Sequence, residues 1–282
     1  MRKHRLLKLA AMTTTAMTTA AVYTLASPFH ISRTEYTILT SKLPSDWKIL
    51  FISDIHYGCV QNKQVVDRKL DELEQEEFDL VILGGDIVQC PVTSKRDMMY
   101  IIGRLGELRS KYGIYFVYGN HDAADDGTVF DTPSHNDIYT ASDLRYALVN
   151  SGITAMDDMC FTVDDNLQLI GRKDMHTNKT CASISELKGD DNRFTICVNH
   201  TPAKMQECAD AGIDLQLSGH THGGQVFPIN IVLPIKYNMP SYGLKKYGDM
   251  SLIVSSGMGI GAYPIRNVHK CEYVVVNIKS TL

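Results

Sequence analysis

Lys48-Ile49-Leu50-Phe51-Ile52-Ser53 runs without a break into Asp54-Ile55-His56. An apolar run that does not alternate with polar residues predicts a strand buried on both faces, as in a sheet covered on both sides. Four more segments repeat the arrangement. Residues 78–83 lead into Gly84-Gly85-Asp86, and residues 113–118 into Gly119-Asn120-His121-Asp122. Residues 194–198 lead into Asn199-His200, and residues 213–217 into Ser218-Gly219-His220-Thr221-His222. Helical stretches lie between several of them, at roughly 62–76, 94–110, 140–151 and 202–211. The third has Thr140 or Ser142 as its N-cap and Gly152 just past its end. The fourth opens with Pro202 in its first turn and stops at Gly212. This alternation predicts a layered α/β fold with helices outside the sheet. Functional loops in such sheets gather at the carboxyl ends of strands, and all five polar blocks occupy that position.

The blocks supply Asp, His, Asp, Asn, His, His and His. A carboxylate is a hard anionic ligand able to bridge two cations, imidazole offers a nitrogen without added charge, and the Asn carbonyl offers an oxygen. A mixed nitrogen and oxygen set without thiolate suits manganese, iron, zinc or magnesium. Two divalent ions a few ångströms apart are a device for attacking a phosphate ester with water. Gly84, Gly85 and Gly119 permit tight turns from strand to loop. A single such block is weak, because a lone His or Asp after a strand is usually a turn residue. Five in order, each after a buried run, make a metal site.

In the content and order of these blocks the chain resembles the calcineurin-like metallophosphoesterase superfamily, over about residues 47–278. It is most similar to a bacterial membrane-associated branch. Ser218-Gly219-His220-Thr221-His222-Gly223-Gly224-Gln225, Ser255-Ser256-Gly257-Met258-Gly259 and Pro264-Ile265-Arg266 carry that likeness. The resemblance implies a four-layer α/β/β/α sandwich, with the later strands at about 160–171, 251–256 and 271–278 in the second sheet. It implies Asp54, His56 and His222 around one ion, Asn120, His200 and His220 around another, and Asp86 bridging them, with manganese the expected metal. His121 would face the scissile phosphate and protonate the leaving alkoxide, and Asp122 would orient His121. The implied reaction is in-line attack on phosphorus by metal-bound hydroxide.

Departures narrow the branch. Phosphoprotein phosphatases carry an Arg soon after the bridging Asp, where this chain has Ile87-Val88-Gln89-Cys90-Pro91, and a Glu after the Asn-His pair, where it has Asp122. Both favour a phosphodiesterase or pyrophosphatase. The superfamily enzyme that cleaves UDP-2,3-diacylglucosamine commonly has an Arg in place of His121, but a related branch keeps the His. A lipid-linked or nucleotide-sugar phosphoester is therefore an expected substrate class. The alternatives are a phosphomonoesterase and, from another class, a catalytically idle metal-binding scaffold, against which every ligand position is filled.

At 282 residues and a net charge of −4, the chain is long enough for one catalytic domain, and its charge argues against a nucleic-acid partner. Seven cysteines without a C-x-x-C pair give no disulfide framework, and Cys197 and Cys208 read as core residues. Arg2, Lys3, Arg5 and Lys8 precede an uncharged run from Leu9 to Phe29, about the length a bilayer needs. Residues 1–29 are expected to be a signal anchor or a cleaved signal peptide. The N-terminus would lie inside and the catalytic domain outside the cytoplasmic membrane, or the domain would be secreted after cleavage. Residues 30–46 read as a linker and an edge strand, 35–40, and residues 47–282 as the catalytic domain.

Three weaker features remain. The stretch 123–137, with Asp125, Asp126, Asp131 and Asp137, reads as a solvated acidic loop. Residues 226–235 read as a core hairpin, with an apolar lip for a lipid tail or membrane as the alternative. His135, His176 and His269 match no block and read as surface or hydrogen-bonded residues.

Overall fold

The computed structural model describes residues 29–59, 63–122, 137–175, 180–188, 192–261 and 265–282. Two six-stranded sheets form its centre. The first has the order β1 (Ile31–Thr40), β14 (Cys271–Ser280), β2 (Trp47–Ile52), β4 (Leu80–Leu83), β6 (Ile114–Val117) and β7 (Ile153–Met156). From β2 to β7 neighbours are parallel; β14 is antiparallel to β2, and β1 is parallel to β14. The second has the order β12 (Gly243–Tyr247), β13 (Met250–Val254), β11 (Leu215–Ser218), β10 (Phe194–Val198), β9 (Leu167–Gly171) and β8 (Met159–Asp164). Its central strands are parallel, and β12 and β8 pair antiparallel at the edges. A short ribbon joins β3 (Glu77–Phe78) to β5 (Arg109–Ser110).

Three apolar clusters separate four layers. Successive side chains of a strand point to opposite faces, so each apolar run feeds two clusters. In β2, Leu50 and Ile52 pack toward α1 (Lys63–Leu73), α2 (Lys95–Gly106) and α3 (Ala141–Asn150). Ile49 and Phe51 pack between the sheets against Leu169, Ile196 and Leu217. In the second sheet Ile170, Cys197 and Leu252 pack outward with Ile184 of α4 (Ile184–Leu187) and Cys208 of α5 (Met205–Asp210). The architecture is the four-layer α/β/β/α sandwich. Cys197 and Cys208 are both buried, as their apolar settings in the sequence suggest.

Several expectations need correction. The strand at 271–280 belongs to the first sheet, between β1 and β2, not to the second. Tyr273 and Val275 feed the helix-side cluster while Val274 and Val276 feed the inter-sheet one, so its apolar pattern fits a central position in either sheet. The stretch 160–171 is two strands; the Asp164 carboxylate accepts from the Asn166 and Leu167 amides and turns the chain between them. The helix expected from 202 begins at Met205, after Lys204 in a left-handed conformation, and Pro202 lies outside it. Thr140 caps α3 with a reciprocal bond from Asp143, as its sequence suggests. The core hairpin expected at 226–235 is instead a helix, α6 (Ile229–Tyr237), with no buried residue. Among the described residues no helix is long and apolar enough to cross a membrane. The N-terminal segment, most of the acidic loop after Asp122, His135 and His176 lie outside the described residues.

Candidate metal centre

The parallel strands β2, β4 and β6 of one sheet and β10 and β11 of the other end along one seam. There the Asp54, Asp86, Asn120, His200 and His220 loops meet. Backbone bonds lock the loops together: the Asp54 N–H donates to Gly85 O, the His56 N–H to Asp86 O, and the Gly219 N–H to His200 O. Asp54, His56, Asp86, His220 and His222 all take positive φ, between 47° and 69°. Such backbone is costly for residues other than glycine, about 1–3 kcal/mol each, and clusters at functional sites.

Two groups of side chains converge. Asp54, His56 and His222 form one, and Asp86, His200 and His220 the other; within each, one ligand atom per residue lies within 4.8 Å of the rest. In the first group His56 Nε2 and His222 Nε2 are 3.1 Å apart, and His222 Nε2 lies 3.7 Å from Asp54 Oδ1. Asp86 Oδ2 faces both groups, at 3.7 Å from His56 Nε2 and 3.1 Å from His200 Nε2. Asn120 Oδ1 lies 2.9 Å from His220 Nδ1 and completes the second group. The seven expected ligands thus come together with Asp86 between them.

Hydrogen bonds outside the groups aim the donors. His200 Nδ1 donates to Gly84 O at 2.7 Å, which leaves the Nε2 lone pair turned into the site. Asp86 Oδ1 accepts from the His121 amide at 2.8 Å, so Oδ2 remains to face both groups. Asp54 Oδ1 accepts from the His220 amide at 2.9 Å and ties the first strand loop to the last. Arg266, fully buried, donates to the carbonyls of Ser256, Gly259, His269 and Lys270, and its Nη2 lies 3.3 Å from His222 Nδ1. Its motif stands in the sequence, but its place behind His222 does not.

The electrostatics fit a site built for cations. Burial pushes Asp54 up to about 6, with His200 opposing and Asp86 reinforcing the shift. Burial lowers His56 to about 4 and holds His222 well below the imidazole range, helped by His56 and Arg266. Burial alone would raise Asp86 and lower His200, but their mutual attraction wins and holds Asp86 well below, and His200 well above, its ordinary value. Yet His200 Nε2, fully buried, makes no hydrogen bond of acceptable geometry. Neutral imidazoles, clustered carboxylates and that orphaned nitrogen fit two divalent ions, and nitrogen and oxygen donors without thiolate set the choice of metal.

His121 lines a cavity of about 230 Å³ together with His56, Asp86, His220 and His222. Its ring lies 5.2 Å from that of His56, centroid to centroid. The Asp122 carboxylate is engaged by the main chain: Oδ2 accepts from the Asp86 and Gly119 amides, and Oδ1 from the Ile87 and Val88 amides, at 2.7–3.1 Å. The Tyr139 hydroxyl donates to Asp122 O at 3.0 Å. Asp122 is the knot between the bridging loop and the Asn120 loop. Burial and the charge of Asp86 push it up to about 7, against the pull of those amides. His269, in neither group, stacks on Tyr242 at 3.8 Å.

The chain is similar in sequence to known proteins. A metallophosphoesterase of Helicobacter pylori strain J99, named as uncharacterized, is 28% identical over 252 residues, covering 86% of this chain and 63% of that protein. The chain thus spans less than two thirds of that relative's length. The uncharacterized metallophosphoesterase YkuE of Bacillus subtilis is 28% identical over 267 residues, 90% of this chain and 87% of that protein. A bovine transmembrane protein with metallophosphoesterase domain is 28% identical over 278 residues, 94% of this chain and 60% of that protein. The family model described as calcineurin-like phosphoesterase matches residues 48–224, a span that opens on β2 and closes just past His222. By that match, which takes in both converging groups, the chain belongs to the calcineurin-like phosphoesterase family.

Proposed function

We propose that this chain hydrolyses a phosphodiester or pyrophosphate bond, with manganese as its metal and an envelope or lipid-linked phosphoester as its substrate. The observation that carries the reading is Asp86 Oδ2, within 3.7 Å of His56 Nε2 and 3.1 Å of His200 Nε2, one oxygen placed to serve two ions. Two divalent ions held by these residues would supply Lewis acidity toward phosphoryl oxygens and a nucleophile at neutral pH. The chain does the rest. The Gly84 carbonyl fixes the His200 tautomer, the His121 amide pins the Asp86 carboxylate, and the Asp122 knot holds their loops at one separation. His121, on the cavity wall, is the group placed to give a proton to the leaving oxygen. Ile87-Val88-Gln89, where protein phosphatases carry an Arg, supports a diester or pyrophosphate over a phosphoprotein.

The basic and then uncharged N-terminal sequence supports placement at the outer face of the cytoplasmic membrane. The name of the bovine relative, a transmembrane protein, agrees with that placement. Manganese-loaded protein should turn over bis(p-nitrophenyl) phosphate faster than p-nitrophenyl phosphate. Asp86→Asn should abolish both activities and lower bound metal below two ions per chain. Faster turnover of the monoester, or full activity in Asp86→Asn, would overturn the reading. Protease digestion of intact spheroplasts tests the placement; a protected domain would refute it.

A further inference from the structure

Immediately beyond the residues matched by the family model, the chain builds an apolar rim on the metal cavity. Val226, Ile229 and Leu233 line that cavity beside His121, His220 and His222. The rest of the segment turns outward. Phe227 is 63% exposed, Ile235 78%, and Ile231, Val232 and Tyr237 are more than half or half exposed as well. A contiguous apolar surface of this kind marks an interaction site.

Its occupant follows from where the chain enters the fold. β2 runs toward the metal centre and ends two residues before Asp54. β14 pairs antiparallel with β2, Val274 opposite Phe51, so Cys271 lies at the metal-centre end of the sheet. β1 runs parallel to β14 with Ile31 opposite Cys271. The chain therefore enters at Phe29 and His30 on the edge of the fold that also carries the metal centre. The uncharged run that begins at Leu9 ends at Phe29, so an anchor in that run leaves almost no tether, and this edge faces the bilayer.

Charge points the same way. In a chain of net charge −4, no Asp or Glu occurs between Asp214 and Asp249. The charged side chains of that stretch, histidines aside, are Lys236 near the end of α6 and the exposed Lys245 and Lys246 on β12. An apolar helix whose one charged side chain is the basic Lys236 suits an anionic lipid surface. The cavity itself, about 230 Å³, holds a phosphoester head group but not a whole lipid, whose tails would remain outside, alongside α6.

We propose that Phe227 and α6 form a bilayer-docking surface at the mouth of the metal centre, seating it on an anionic membrane whose phosphoester head groups enter from below. The inference deepens the proposed function and rests on its membrane placement.

The test uses the full chain in vesicles of phosphatidylcholine and phosphatidylglycerol with brominated acyl chains. Ile235→Trp and Val232→Trp report on α6. Leu39→Trp, 70% exposed at the far end of β1, is the control, and the single native Trp47 is buried and gives a constant background. Bromolipid should quench the added emission at 235 and 232 at least twofold and leave that at 39 unchanged. Overturning results are failure of the chain to float with vesicles, or α6 reporters as open to aqueous iodide as the control. Shielding of α6 without vesicles that grows with protein concentration would assign the face to a second copy and also overturn the proposal. Turnover of soluble bis(p-nitrophenyl) phosphate is read on the same samples. Quenching without turnover removes the hydrolase reading alone, and turnover without quenching removes the docking surface alone.

Discussion

Replacing Asp122 by Asn separates two roles that one carboxylate could have beside His121. Each of its oxygens accepts from two backbone amides, Asp86 with Gly119 and Ile87 with Val88. An Asn keeps one oxygen and puts an NH₂ group where the other stood. Whichever way it turns, two buried amide donors then face a donor. A buried polar group left without a partner costs about 1–3 kcal/mol, so the pair costs about 2–6 kcal/mol, with about 4 kcal/mol as the central value. For a domain of this size 1 kcal/mol moves the Tm by about 2–4 °C, which gives a fall of about 8–16 °C. The assay is thermal unfolding of wild type and Asp122→Asn in excess chelator, so that bound metal cannot mask the change. Metal affinity should fall along with the Tm, since the bridging loop and the Asn120 loop lose their common tie. If the Tm stays within about 2 °C of wild type while only kcat falls, Asp122 acts through the His121 imidazole, and the reasoning from the four amides is refuted.

Further outcomes follow from the same geometry. His121→Ala should keep both metals and lose about 10²–10⁴-fold in turnover, less for nitrophenolate leaving groups that need no proton; loss of a metal from this variant would make His121 a ligand. Gly119→Ala places a Cβ 2.2 Å from Asp86 Oδ1, so it should cost at least about tenfold in turnover, a shift of roughly 1.4 kcal/mol. Gly103→Ala in α2, with nothing within 4 Å, should raise stability by up to about 1 kcal/mol in urea unfolding. Equal behaviour of the two glycine variants would refute the close approach. Asp54, pushed up to about 6, and His200, held well above the imidazole range, must both shed protons to bind metal. Affinity should therefore strengthen as pH rises from about 6, with protons released on binding. Calorimetric titration with manganese in buffers of different ionisation heat checks this; a binding heat independent of buffer would refute it.

The metal centre was legible because its parts are written locally. Each apolar run announces a buried strand, and each polar block sits at its end, so Asp54, Asp86, Asn120, His200 and His220 share one edge once the strands are parallel. What escaped reading depends on neighbours in space. Asp122 follows His121 in sequence, which suggests a partnership, and only the fold brings the Asp86–Val88 amides to it. Arg266 has no visible task until the chain folds it behind His222. The strand at 271–280 is apolar on both faces, so its pattern fits a central place in either sheet. The apolar stretch that builds α6 reads as core because composition measures hydrophobicity, and only the packing shows that nothing covers it.

The position of β14 also sets a schedule. It is synthesised after every other described strand, yet it sits between β1 and β2, two of the earliest, with ten residues in register against β1. Until residues 271–280 have left the ribosome, β1 has no sheet to join and β2 shows a bare edge. The first sheet therefore closes only after its last strand is available, and a growing chain cannot seal it early. The contact that completes the sheet is thus withheld until the last of the described strands has been made.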